Sequence, residues 1–140
     1  MFGQPSWKTY TNSRFGFSVL YPADVLKPEP PPENGDGLAF FSQDKRAELR
    51  VWGDLNALAE TVQARFETTL KGTPGKVSYK VLRKDWFVVS GSGKGREFYK
   101  KVMFGKDGTV RTISLEYPVT SKKRFDPLVE RIVQSFKVLA

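Results

Sequence analysis

Between residues 85 and 117 apolar runs and glycine clusters alternate as they do in a β-meander. Residues 86–90, 97–104 and 110–117 are predicted strands, with Gly91-Ser92-Gly93-Lys94-Gly95 and Gly105-Lys106-Asp107-Gly108 as the turns between them. Glycines supply the positive φ that tight hairpin connections need. Trp86-Phe87-Val88-Val89 is apolar at four consecutive positions. Both faces of that strand are therefore expected to be buried, which predicts a central strand in a sheet covered on both sides.

The same reading extends outward. Residues 7–10 form a short edge strand, and Thr11-Asn12-Ser13 is turn-like. Phe15, Phe17, Val19 and Tyr21 alternate with smaller residues up to Pro22, giving a strand with one buried face. Residues 23–37 are irregular, because Pro28, Pro30, Pro31 and Pro32 favour extended backbone and forbid a helix. That loop is expected on the surface, with Gly35 or Gly37 at positive φ. Residues 38–42 and 48–52 make a hairpin around Gln43-Asp44-Lys45-Arg46. Leu55, Leu58, Val62, Phe66 and Leu70 recur at spacings of three and four, which predicts a helix over 56–71. Asp54 or Asn56 would cap it, and Gly72 followed by Pro74 would stop it. Residues 77–82 are a further strand. Phe125, Leu128, Val129, Ile132, Val133 and Phe136 mark a final helix over about 121–136, running on through Pro127 with a kink.

These elements specify an α+β fold: an antiparallel sheet of six to seven strands flanked by helices, an α/β/α sandwich, as a single domain over residues 7–140. Residues 1–6 read as a loose lead-in. The expected core holds Trp86 to Val89, Phe15, Phe17, Val51, Val62, Phe66, Ile132 and Phe136.

Composition narrows the chemistry. The 140 residues contain neither Cys nor His, so thiolate chemistry, disulfides and the commonest general base are all excluded. Lys and Arg number 23 against 15 Asp and Glu, a net charge of +8, which suits an acidic protein, nucleic acid or an anionic lipid surface. No run of 18 apolar residues is present to span a membrane, and no signal peptide is visible. Asp24, Glu29, Glu33 and Asp36 share one loop without a calcium-loop pattern and read as solvated charge. The glycines at 91–95 are explained by a hairpin turn, and the strand–loop–helix setting of a phosphate cradle is missing. No catalytic, cofactor-binding or metal-binding residue is assigned. Basic residues gather at 80–84, around the 94–101 hairpin and at the start of the last helix. Three cations at a helix N-terminus oppose the macrodipole. Lys94, Arg96, Lys122, Lys123 and Arg124 are accordingly the candidate partner-binding surface.

Several segments together resemble PsbP-like domains. Tyr10-Thr11-Asn12-Ser13-Arg14-Phe15-Gly16-Phe17-Ser18-Val19-Leu20-Tyr21-Pro22 is similar to their opening. Asn34-Gly35-Asp36-Gly37, followed by Phe40, Ser42, Asp44, Leu49, Val51 and Gly53, resembles the second hairpin of bacterial members. Tyr117-Pro118, Phe125-Asp126-Pro127 and Ser135-Phe136 resemble their C-terminal helix. One departure is Asp44-Lys45, where Asp-Gly is expected; a differently shaped turn could follow. The resemblance implies a fold shared with the Ran-binding factor Mog and bacterial DcrB-type proteins. It further implies a non-enzymatic role in binding other proteins, and export to a periplasmic setting, with a cytoplasmic one as the alternative. No binding residue carries over from it. The expectation is therefore a cofactor-free, non-catalytic binding protein of the bacterial cell envelope with a protein partner. An electrostatic binder of anionic lipid or nucleic acid comes second, and an enzyme without a recognisable motif third.

Overall fold

The computed structural model describes residues 5–139, so most of the expected lead-in, residues 1–4, lies outside the described residues. In chain order the elements are β1 (Trp7–Asn12), β2 (Phe17–Pro22), β3 (Lys27–Pro28), β4 (Gly37–Phe41), β5 (Glu48–Leu55), α1 (Val62–Gly72), β6 (Lys76–Leu82), β7 (Trp86–Gly93), β8 (Arg96–Phe104), β9 (Thr109–Pro118), α2 (Lys122–Ser135) and β10 (Lys137–Val138). A 3-10 turn, Val119–Ser121, leads into α2. Seven strands form one antiparallel sheet in the order β3-β4-β5-β9-β8-β7-β6. The fold is the expected α+β arrangement, but its strands are distributed differently. β1 and β2 leave the main sheet for a separate three-stranded sheet in which β2 lies between β1 and β10, and its closing ladder joins Lys137 to Ser18 and Val138 to Phe17.

Alternation along β9 divides the interior in two, since successive side chains point to opposite faces. Ile113, Leu115 and Tyr117 join Leu49, Val51 and Phe40 under α2 and the small sheet, where Phe17, Val19, Phe125, Ile132 and Phe136 close the core. Val110 belongs to the opposite face, with Phe87, Val89 and Val102 packed against Val62, Phe66 and Leu70 of α1. Gly53 leaves room for the Phe15 ring: a Cβ there would lie 2.3 Å from it. Ser135 fastens α2 to β2, its hydroxyl accepting the Leu20 N–H at 2.8 Å and donating to the Ile132 carbonyl at 2.6 Å.

Several expectations need correction. β9 is the central strand, and β7 lies next to the edge strand β6. β7 is nonetheless buried on both faces. Phe87 and Val89 sit under α1, while Val88, on the other face, is 4% exposed between Val81 and Lys101, whose ammonium lies 4.8 Å over the Trp86 ring. Trp86 itself, Val62 and Phe66 are only half-buried. α1 begins at Val62, capped by Thr61, whose Oγ1 accepts the Ala64 N–H at 3.0 Å; neither Asp54 nor Asn56 caps it. Leu55 is taken instead by the β5–β9 ladder, opposite Thr109, and Leu55 and Leu58 are exposed. Gly72 is the last helical residue, and Thr73 forms the C-cap. β7 continues to Gly93, which narrows the turn to Lys94-Gly95. Gly35 has φ +64 as expected, and α2 continues through Pro127.

Candidate functional site

The hairpin and the start of α2 meet at one end of the sheet. Arg96 pairs with Pro118 in the β8–β9 ladder, and the Val119 N–H donates to the Gly95 carbonyl at 2.9 Å. Lys94 therefore sits at the same sheet end as the turn that opens into Lys122, Lys123 and Arg124. All four are exposed. Lys94 occupies the turn at φ +53 and not the strand, so Lys94 and Arg96 do not share a strand face.

Charge at this end is only partly cancelled. Arg96 contacts Glu116 at 3.5 Å and donates to the Arg46 carbonyl at 2.8 Å, so it points toward the β4–β5 turn. Lys122 pairs with Asp126 at 3.0 Å, and the hydrogen bond to that carboxylate raises the lysine pKa. Asp126 also accepts the Tyr117 hydroxyl at 2.9 Å. It thereby offsets, one turn into the helix, the cations that the uncapped α2 N-terminus carries. Burial, and the hydrogen bond to Asp126, push the Tyr117 pKa well above its ordinary value. Lys94 and Lys123 make no ion pair among the described residues.

Sequence reasoning missed two contributors. Arg46 is brought in by the Arg96 contact across 50 residues, and Lys76 by pairing with Ser92 beside the hairpin. No local signal links Arg46 to Arg96, fifty residues apart, and the register of Lys76 in the β6–β7 hairpin is shifted by the irregularity between Val77 and Tyr79.

A groove runs from this end along α1. It encloses about 370 Å³ between the C-terminal half of the helix and strands β8 and β9, lined by Thr68, Thr69, Thr73, Lys100, Ser114 and Glu116 among others. A smaller recess by Lys94 and Arg96 shares Pro74, Phe98 and Glu116 with it. The threonine hydroxyls donate to the carbonyls of Ala64, Arg65 and Thr69, and their oxygens retain the capacity to accept. Burial lowers the Lys100 pKa, while Glu116 pulls it back up; the ammonium lies 6.0 Å from the Trp52 ring centroid. The arrangement offers fixed charge and hydrogen-bonding groups.

Comparison with solved structures decides the fold. Cyanobacterial PsbP (CyanoP) from Synechocystis sp. PCC 6803 superposes with a TM-score of 0.66 at 18% identity, covering 97% of this chain and 94% of that one. The fold is PsbP-like. The Saccharomyces cerevisiae Ran-binding protein Mog1p also shares this PsbP-like fold, at TM-score 0.58 and 12% identity, with 97% of each chain covered. So does a protein of Bacteroides thetaiotaomicron, at TM-score 0.52 and 13% identity, over 95% of this chain and 48% of that one. No family model matches the sequence, and no curated protein matches it. Among the described residues no helix is long and apolar enough to cross a membrane.

Proposed function

We propose that this chain is a non-catalytic, cofactor-free binding module of the bacterial cell envelope. It docks an acidic protein partner through the end of the sheet that carries Lys94, Arg96, Lys122, Lys123 and Arg124. The working unit is the domain from residue 7 onward, with the first six residues as a lead-in. One observation carries the reading: the hydrogen bond from Val119 to Gly95 fixes the hairpin beside the start of α2, so distant basic segments share one surface. The groove beside Lys100 opens onto the same end and extends the contact area. A PsbP-like structure described as Ran-binding supports a role in binding protein, and the resemblance to exported PsbP-like domains supports the envelope.

The test is a triple variant, Lys94→Glu, Lys122→Glu and Lys123→Glu. Exposed charges contribute little to stability, and so does an exposed pair such as Lys122–Asp126, so its unfolding should stay close to wild type. A partner captured from envelope extracts by the wild-type chain should bind the variant more weakly, and its affinity should depend less on salt. Retention of wild-type affinity and salt dependence would show that the charge serves solubility alone. Turnover of a metabolite by the purified protein would refute the non-catalytic reading.

A further inference from the structure

The opposite end of the sheet carries a different surface. Between β5 and α1 the chain reads Leu55-Asn56-Ala57-Leu58-Ala59-Glu60-Thr61. Its apolar and polar residues are arranged the reverse of the usual way. Leu55 is 66% and Leu58 92% exposed, and Ala57 and Ala59 are exposed as well. The single polar residue between positions 55 and 59, Asn56, turns inward and clamps the loop. Its Oδ1 accepts the Glu60 N–H at 2.9 Å and its Nδ2 donates to the Glu60 carbonyl at 2.8 Å. The Asn56 N–H donates to the Gly108 carbonyl at 3.0 Å, fixing the loop to the β8–β9 turn. Ala59 is held at φ +50, a strained backbone for a residue with a Cβ. The loop is thus built to present leucines to the outside.

Charge around it is sorted too. Asp54 and Glu60 both contact Arg65, at 3.5 and 2.5 Å, and Asp107 contacts Arg111 at 3.4 Å. The nearby turns add exposed Lys106, Arg83 and Lys84 against Asp85. They belong to the same end, since the Phe104 N–H donates to the Asp85 carbonyl at 2.7 Å. Exposed Leu82 adjoins Arg83.

We infer that this loop is a wedge that inserts into the interface of an anionic bilayer, with Lys106, Arg83 and Lys84 over the lipid headgroups. A convex five-residue knob is too small for a stable protein interface, which takes about 800 Å² from each side. A bilayer needs no complementary pocket: it accepts apolar knobs into the acyl boundary and attracts flanking cations. This surface is separate from the basic docking end and does not depend on it.

The test is co-sedimentation of the full chain with vesicles of phosphatidylglycerol and phosphatidylcholine in equal parts, against phosphatidylcholine alone. Wild type should bind the mixed vesicles and not the neutral ones. Leu58→Ser leaves every charge in place and should weaken binding about tenfold, the worth of one buried leucine. Lys106→Ala should weaken it about fivefold. Asn56→Ala removes no apolar surface but releases the loop, and should also weaken binding. If Leu58→Ser binds mixed vesicles as wild type does, the attraction is electrostatic and the wedge is refuted. Absence of vesicle binding, with loss of a protein partner in Leu58→Ser, would overturn the proposal in favour of a protein contact.

Discussion

Lys94→Asn separates the charge of the basic end from its folding. Lys94 and Gly95 are the two central residues of the β7–β8 turn, at φ +53 and +77, with Gly93 and Arg96 paired on either side. Two left-handed residues in a two-residue hairpin loop define a turn that prefers Asn-Gly. Lysine in left-handed backbone costs roughly 1–2 kcal/mol, and asparagine less, because its short polar side chain bonds locally. Lys94 is exposed and forms no ion pair among the described residues, so its removal forfeits no contact that would offset the gain. The variant should therefore be more stable by about 0.5–1 kcal/mol, raising the midpoint of thermal unfolding by about 2–4 °C. Urea unfolding followed by Trp fluorescence measures this, with the slope unchanged. Binding of an acidic partner should weaken at the same time, which no loss of fold could explain. A destabilised variant would refute the turn assignment, and a stabilised variant with undiminished binding would remove Lys94 from the docking surface.

Other consequences follow from burial and backbone. Ile132, 0% exposed, should cost about 2–5 kcal/mol when cut to Ala, whereas half-buried Phe66, edge-on to Phe87 at 5.3 Å, should cost about 2 kcal/mol, read by denaturant unfolding. Lys45→Gly should be neutral to stabilising, by up to about 1 kcal/mol, since glycine relieves φ +63 but gives up the 3.3 Å contact with Glu29; a loss above about 1 kcal/mol would mean that contact dominates. Burial pushes the Tyr99 pKa up to about 12 from 10.0, so the folded state keeps a proton that the unfolded chain releases. Stability should be intact below pH 10 and fall toward pH 12, and Tyr99→Phe should remove part of the late rise in tyrosinate absorbance.

Helix α2 was legible because its apolar stripe, Phe125, Leu128, Val129 and Ile132, is also its buried face. The meander was legible because its turns are short and rich in glycine. Hydrophobic period reports which face a strand buries, not which strand it pairs with. Hence the pattern alone implies a single sheet, although β2 finds its partner β10 more than a hundred residues away. The same limit hid the start of α1: Leu55 and Leu58 match helical spacing, but the eight-residue β5–β9 ladder claims Leu55 first. Lys45, where PsbP-like sequences suggest glycine, adopts φ +63 and so keeps the left-handed turn that glycine would give. Arg111 is charged yet 5% exposed. Its guanidinium bonds the Phe15 carbonyl at 2.7 Å and meets Asp107, four residues back, so only that spacing hinted at it. The candidate site was half legible: its cations were visible, but the contact of hairpin and helix that unites them was not.

The two surfaces lie at opposite ends of the same strands. β9 has ten residues, which at about 3.4 Å per residue separates the basic end from the Leu58 loop by about 30 Å. Residues that far apart, sharing no partner, contribute additively to within about 0.5 kcal/mol. The stability gain of Lys94→Asn should therefore be the same in a Leu58→Ser background. Binding should divide in the same way. Leu58→Ser should leave affinity for an acidic protein unchanged, and Lys94→Asn should alter vesicle binding only as far as one lysine's charge predicts. Helix α1 runs from the Leu58 loop to Pro74 beside the hairpin, but it and the strands between the ends are held by the core and the ladders, so neither variant should shift the other end. A double-variant cycle in urea and in each binding assay measures the coupling. A coupling above about 1 kcal/mol would show that the sheet transmits a change from one end to the other, and the two surfaces would have to be treated as one device.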